Sequence, residues 1–175
     1  MMTVREMAAS ELGRIADIDR SEHITGQYKS RAGVLELVEA DIRAPRWGEP
    51  GGHTVERYVE SWKPLLAAGG VLLGAFDGDR LVGFAIYQPR LAEGLANLAV
   101  LHVTRTHRRS GIGCELTNEV VRLARAEGAG RVYVSATPTR ATVDFYRKRG
   151  FEPVATPNET LFALEPDDIH MELRL

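Results

Sequence analysis

Apolar positions recur with two different periods along this chain, and each change of period marks where strand gives way to helix. Met2 to Met7 reads as an edge strand. Ser10 is placed to cap a helix that turns Leu12, Ile15 and Ile18 inward. After Ile24-Thr25-Gly26, the spacing of Val34, Val38 and Ile42 predicts a second helix. Residues 43–53 (R-A-P-R-W-G-E-P-G-G-H) form the most loop-like stretch of the chain. Thr54 then caps a helix carrying Val55, Tyr58, Val59, Trp62 and Leu66 on one stripe. Pro64 is expected to kink or shorten it, and Gly69-Gly70 end it.

Strands come next. Val71 to Phe76 and Leu81 to Gln88 flank Asp77-Gly78-Asp79-Arg80, a hairpin signal, and Pro89 closes the second of them. Leu95 to Thr104 is a third strand. It leads through a basic turn, Arg105 to Arg109, into Gly111 and Gly113. A helix follows with Ile112, Leu116, Val120 and Leu123 on one face, ending at Gly128. The strand expected at Arg131 to Ser135 must then lie parallel to the third, across a right-handed crossover. Thr137 is expected to cap a helix that Pro138 begins. The last strands fall near Glu152 to Ala155 and Ile169 to Leu175, joined by a polar loop. The fold class is α/β of the mixed kind, a largely antiparallel sheet with helices on both faces.

A length of 175 residues predicts one domain, residues 1–175, with room for a core. The net charge of −2 argues against a broad nucleic-acid footprint, so the cluster of arginines suits a small polyanion better than a duplex. Cys114 is the only cysteine, which fits a reducing compartment. No signal-like N-terminus and no membrane-length apolar run is present, so the expected location is cytoplasmic, with no membrane partner. The five histidines show no metal-ligand spacing, and no metal is expected.

The turn at 108–113 has the makings of a phosphate site. The first turn of a helix carries backbone N–H groups with no intrahelical partner, and the aligned peptide dipoles make that end positive. Glycines at 111 and 113 allow an anion close to the backbone, and Arg108 and Arg109 add full charge. Residues 109 to 113 are therefore expected to wrap a pyrophosphate. Neither a P-loop nor a dinucleotide fingerprint accounts for it. No Lys-Ser or Lys-Thr follows either glycine, and Gly128 and Gly130 end a helix rather than open one.

Arg108-Arg109-Ser110-Gly111-Ile112-Gly113 resembles the R/Q-x-x-G-x-G/A loop of the GNAT superfamily, the acyl-coenzyme A dependent N-acetyltransferases. The resemblance continues for about fifty residues, through Leu101-x-Val103 before the loop and Phe145, Tyr146, Gly150 and Phe151 after it. The tail Asp168 to Leu173 is similar to the last strand of many members. The N-terminal half carries no such signature.

The resemblance implies a GNAT-like fold and acetyl-coenzyme A (acetyl-CoA) as the acyl donor. It implies an amine acceptor, a small molecule or a peptide, and leaves a homodimer open. It places the cofactor on Leu101, Val103, Arg108, Arg109, Ser110, Gly111, Ile112 and Gly113. Leu101 and Val103 act there through backbone groups, one N–H serving as an oxyanion donor. Tyr146 is the implied acid for the departing thiolate. The glutamate that some members use as base corresponds to Asn97 here, leaving Glu22, Glu93 and His102 as candidates. That replacement is the one feature favouring an acyl-CoA sensor over an enzyme. Cys114 sits in the helix's first turn, but no histidine is fixed beside it to make it a nucleophile.

The family builds its acceptor pocket from two loops, here roughly residues 21–54 and 155–168, the first of which holds Trp47. Seven acids against four bases between Glu11 and Asp41 lean toward a cationic acceptor.

Overall fold

The computed structural model describes residues 1–175. Nine strands and four α-helices follow in the order β1 (Met2–Met7), β2 (Glu22–Arg31), β3 (Val34–Ala44), α1 (Val55–Ala67), β4 (Val71–Asp77), β5 (Arg80–Ala92), β6 (Leu95–Val103), α2 (Ile112–Ala126), β7 (Arg131–Ala136), α3 (Arg140–Arg147), β8 (Glu152–Pro153), α4 (Glu159–Leu164) and β9 (Ile169–Arg174). Seven strands form one sheet in the order β1-β4-β5-β6-β7-β9-β8, while β2 and β3 pair only with each other. All sheet neighbours are antiparallel except β6 and β7.

Alternation along the central strands divides the core between the two faces of the sheet. One face carries Leu73, Val82, Leu98, Val132 and Val134, covered by Ile112, Leu116 and Val120 of α2 and Val143 and Tyr146 of α3. The other carries Leu72, Phe76, Phe84, Ile86 and Val100, covered by Leu12, Ile15, Ile18 and Trp62. Each large side chain taken fully out of water contributes about 1.5–3 kcal/mol, so both layers are needed to hold a sheet of this size.

The expected helix over Val34, Val38 and Ile42 is instead the strand β3 of a hairpin. Residues four apart share one face of a strand as well as of a helix, so that spacing alone did not separate the two. Leu35 and Leu37 occupy the alternate positions and make the segment apolar on both sides. The turn needs left-handed backbone at both central residues, and Ala32 (φ 49°) and Gly33 (φ 80°) supply it. The hairpin docks through Tyr28, whose N–H donates to Pro138 O at 2.7 Å and whose hydroxyl donates to Asp144 at 2.8 Å.

Four smaller boundaries also moved. The first helical segment is a 3-10 helix over Ala9–Asp17 that begins at Ala8 rather than Ser10, with Leu12, Ile15 and Ile18 buried as expected. Helix α1 runs through Pro64 to Ala67, and Thr54 Oγ1 caps it by accepting from Arg57 N–H. Strand β5 continues past Pro89 to Ala92, with an irregular register and a left-handed Arg90 (φ 52°) taking up the kink. The cap of α3 is Thr139 rather than Thr137, because the Pro138 carbonyl is engaged by the hairpin and the helix starts beyond it. The polar loop before β9 contains the short helix α4, capped by Asn158.

Candidate active site

Strands β6 and β7 run side by side for only three residue pairs, Leu95↔Arg131 to Asn97↔Tyr133, and then part. Beyond Asn97, β6 keeps β5 on one edge as far as Val103, while its other edge meets no strand. The register slips between Ile86 and Tyr87 of β5, leaving Ala99 as an extra residue in β6. Such a bulge adds twist where the strands diverge. Leu101 and Val103 thus lie beside an open cleft, on an edge of β6 that no strand occupies. The Val103 carbonyl is already taken, since it accepts from Arg108 Nε at 3.2 Å.

At the top of the cleft the chain turns into α2. Arg109 (φ 64°) and Gly111 (φ 92°) are both left-handed, which coils the loop around its own backbone. The N–H groups of Arg109, Ser110, Gly111, Ile112, Gly113 and Cys114 have no partner within the chain. Six consecutive donors converging at a helix N-terminus form a cradle suited to a pyrophosphate. The Ile112 side chain is buried in the core, so this residue offers the loop only its N–H. Gly111 faces open space, whereas a Cβ on Gly113 would lie 3.1 Å from the Phe145 ring. Gly113 therefore serves packing against α3, and Gly111 serves the loop.

The Arg108 guanidinium turns inward. It donates to Val103 O and Arg20 O, both at 3.2 Å, and stands 4.0 Å from Glu22 Oε2. Arg109 is left as the exposed cation of the loop. Cys114 Sγ accepts from the Arg149 guanidinium, which lies 3.7 Å above the Phe145 ring.

Tyr146 packs edge-on between Phe145 and Phe151, with ring centroids 5.1 and 5.2 Å away, and is only 4% exposed. Its hydroxyl has no protein partner, yet it is not sealed from solvent. Burial pushes the phenol well above its usual range; the Arg149 guanidinium opposes this and the Asp168 carboxylate adds to it. The group therefore keeps its proton at neutral pH.

The base candidates separate cleanly. Glu93 lies in the β5–β6 turn, six strand residues and ~20 Å below Leu101. His102 is packed among Trp47, Trp62 and Phe84, and burial, with Arg20 and Arg108 nearby, pushes it down to about 4. It is a neutral imidazole at physiological pH. Glu22 stands beside Arg108. Asn97, at the last β6–β7 pair, is 2% exposed. Its Nδ2 donates to Gln88 at 3.0 Å while its Oδ1 has no partner. No group of three His, Cys, Asp or Glu side chains lies together to hold a metal ion.

Sequence reasoning did not single out two features near the cleft. Buried His170 on β9 meets the Tyr133 hydroxyl at 2.8 Å, Ser135 at 3.1 Å and the Glu165 carbonyl at 3.0 Å. Next to it runs a groove of about 610 Å³ between β2 and residues 154–168, lined by Tyr28, Lys29, Pro138, Phe162, Asp168 and His170 among others. The alternation of Asp168-Ile169-His170 was the one available signal, because it puts Ile169 in the core and its neighbours on the opposite side.

Comparison with known proteins agrees with this geometry. The acetyltransferase (GNAT) family pattern matches residues 37–151. The N-alpha-acetyltransferase 50 of Danio rerio is 25% identical over 114 residues, covering 63% of this chain and 68% of that protein. Nourseothricin acetyltransferase superposes with a TM-score of 0.72 at 18% identity, over 99% of this chain and 98% of its own. A streptothricin acetyltransferase from Bacillus anthracis, solved with acetyl-CoA, gives 0.68 at 17% identity over the full length of both chains. The PaiA N-acetyltransferase of Thermoplasma acidophilum, solved with coenzyme A, gives 0.63 at 19% identity over 100% and 99%. No helix is long and apolar enough to cross a membrane. A cleft that opens between two parallel strands beneath an N–H cradle, together with the match over residues 37–151, makes this chain a member of the GNAT family, an acyl-CoA dependent N-acetyltransferase.

Proposed function

We propose that the chain transfers the acetyl group directly to a primary amine, with Tyr146 as the acid that protonates the departing sulfur. Acetyl-CoA supplies an acyl thioester, and the residues described here position it and move protons. The N–H groups of residues 109–114 hold the pyrophosphate, with Arg109 adding charge at the rim. The open edge of β6 around Leu101 and Val103 offers backbone groups to an extended chain, as an added strand would use them.

The observation that carries the reading is Tyr146. Its hydroxyl has no partner in the chain and, like any phenol at neutral pH, holds its proton, so it has a proton to give when negative charge appears on a neighbouring atom.

The acceptor is an amine that arrives through the groove beside β2. The names of the similar proteins point to two classes, the nourseothricin and streptothricin antibiotics and the α-amine of proteins. The test is release of coenzyme A from acetyl-CoA with nourseothricin, spermidine, L-lysinamide and peptides bearing a free α-amine. Amine-dependent turnover with one of these classes is expected. Tight binding of acetyl-CoA with no turnover across the panel would contradict the proposal and favour an acyl-CoA sensor.

A further inference from the structure

Asp168 stands at the entrance to β9 and lines the groove between β2 and residues 154–168. Burial is the largest influence on its carboxyl, and the charges it feels most are those of Glu165 and Asp167, both of the same sign. None of the influences on it is a cation or a hydrogen bond, although Lys29 lines the same groove. The groups facing it from other elements are the Tyr146 phenol on α3, Tyr28 and Lys29 on β2, and His170 on β9. Tyr28 is engaged with Asp144, and His170 with Tyr133, Ser135 and Glu165 O, so both already have partners. A half-buried carboxylate left unpaired costs stability, and its natural complement is a cation that enters the groove.

We propose that the Asp168 carboxylate receives the acceptor's ammonium group in this groove and removes its proton. The inference rests on the amine-acceptor reading above and adds the base, the element that Asn97 leaves unfilled. Protons and bonds balance as follows. The ammonium gives one proton to Asp168, which passes it to solvent. The freed amine then forms the N–C bond as the C–S bond breaks. As the amide forms, the sulfur gains a proton from Tyr146, and the amine's second proton passes through solvent to restore the Tyr146 phenol. The products are the acetamide and the thiol, with one proton released overall.

Burial with two like-charged neighbours pushes the Asp168 carboxyl up to about 7, which suits a base working near neutrality. The groove that holds Asp168 contains neither Glu22 nor His102.

Asp168→Asn keeps size and removes the basicity. With L-lysinamide as the probe amine, we expect kcat/KM to fall by roughly 10²-fold or more at pH 8. The loss of rate expected of the wild type below about pH 7 should be replaced in the variant by one that follows the acceptor amine's own titration. Glu152→Gln removes the same charge from an exposed position on β8 and should leave both quantities unchanged. An Asp168→Asn enzyme within twofold of wild type across pH 6–9, or one altered in KM alone, overturns the proposal.

Thermal melting supplies a check that needs no acceptor. A raised folded-state pKa means the anion is disfavoured by folding. Relative to Asp168→Asn, the wild type should lose stability as pH rises from about 4 to 7, with no further change above that. Equal melting temperatures at pH 8 also overturn the proposal. Failure of the wild type to acetylate L-lysinamide would count against the acceptor reading, and the melting series would still decide whether Asp168 holds a proton.

Discussion

The two walls of the cleft are built differently. The wall we propose for the cofactor is continuous in sequence. Strand β6, the loop and α2 follow one another from Leu95 to Ala126, and the functional groups are largely backbone N–H. The wall we propose for the acceptor is assembled from the hairpin β2–β3, the start of α3, the segment 154–168 and the first residue before β9. Its functional groups are side chains. The GNAT family pattern matches residues 37–151, which includes the whole cofactor wall but leaves out β2, residues 154–168 and Asp168. A wall that presents phosphate ligands through backbone tolerates few changes of path, because path and chemistry are the same thing there. A wall of side chains on separate segments can change its acceptor without changing the fold.

That contrast can be broken most severely at the point where both walls meet. Tyr146→Phe keeps the ring stacked on Phe145 and Phe151 and removes only the acid. We expect kcat to fall ~10²–10⁴-fold, with KM for acetyl-CoA and the melting temperature nearly unchanged. Steady-state kinetics with the best amine of the panel checks it, and a variant within twofold of wild type would leave Tyr146 a core residue.

On the cofactor wall alone, Gly111→Val forces a β-branched residue into a left-handed conformation (φ 92°), at about 1–2 kcal/mol from the backbone before any loss of ligand space. Calorimetry should show acetyl-CoA affinity lowered at least tenfold, while the two core layers stay folded. Gly113→Val is a different experiment, since its Cβ would press on Phe145 and disturb α3.

The smallest effect belongs to Arg108. Its two donated hydrogen bonds tie the segment at Arg20 to the end of β6, so it joins the walls instead of serving one of them. Arg108→Ala should cost about 1.5 kcal/mol of stability and raise KM for both substrates modestly. A large loss confined to acetyl-CoA would instead make Arg108 a direct phosphate ligand.

The difference between the walls also explains what could be read from the sequence. The meander, the parallel crossover and the glycine turn into α2 were legible because each is encoded by neighbouring residues: the D-G-D-R turn, the period of Ile112, Leu116 and Val120, and Gly128 (φ 78°) at the end of α2. The hairpin was not. Spacings of four satisfy strand and helix alike, and its turn uses a left-handed alanine at 32, which no short-range rule favours. Asp168 was visible only as the head of a strand. Its unpaired carboxylate is a property of residues drawn from three separate segments, and no local pattern records that. Arg108 was legible as a cation but not as a tether, because its partner is the carbonyl of a residue eighty-eight positions away.

The most direct measurement is an amide-resolved NMR titration with coenzyme A. The unpartnered N–H groups of Arg109 through Cys114 should take up hydrogen bonds to phosphate, giving the largest downfield shifts and the greatest slowing of hydrogen exchange in the chain. The amides of β2 and β3 should move little. Saturation with coenzyme A while residues 109–114 keep their free shifts and exchange rates would contradict the assignment of the cofactor wall.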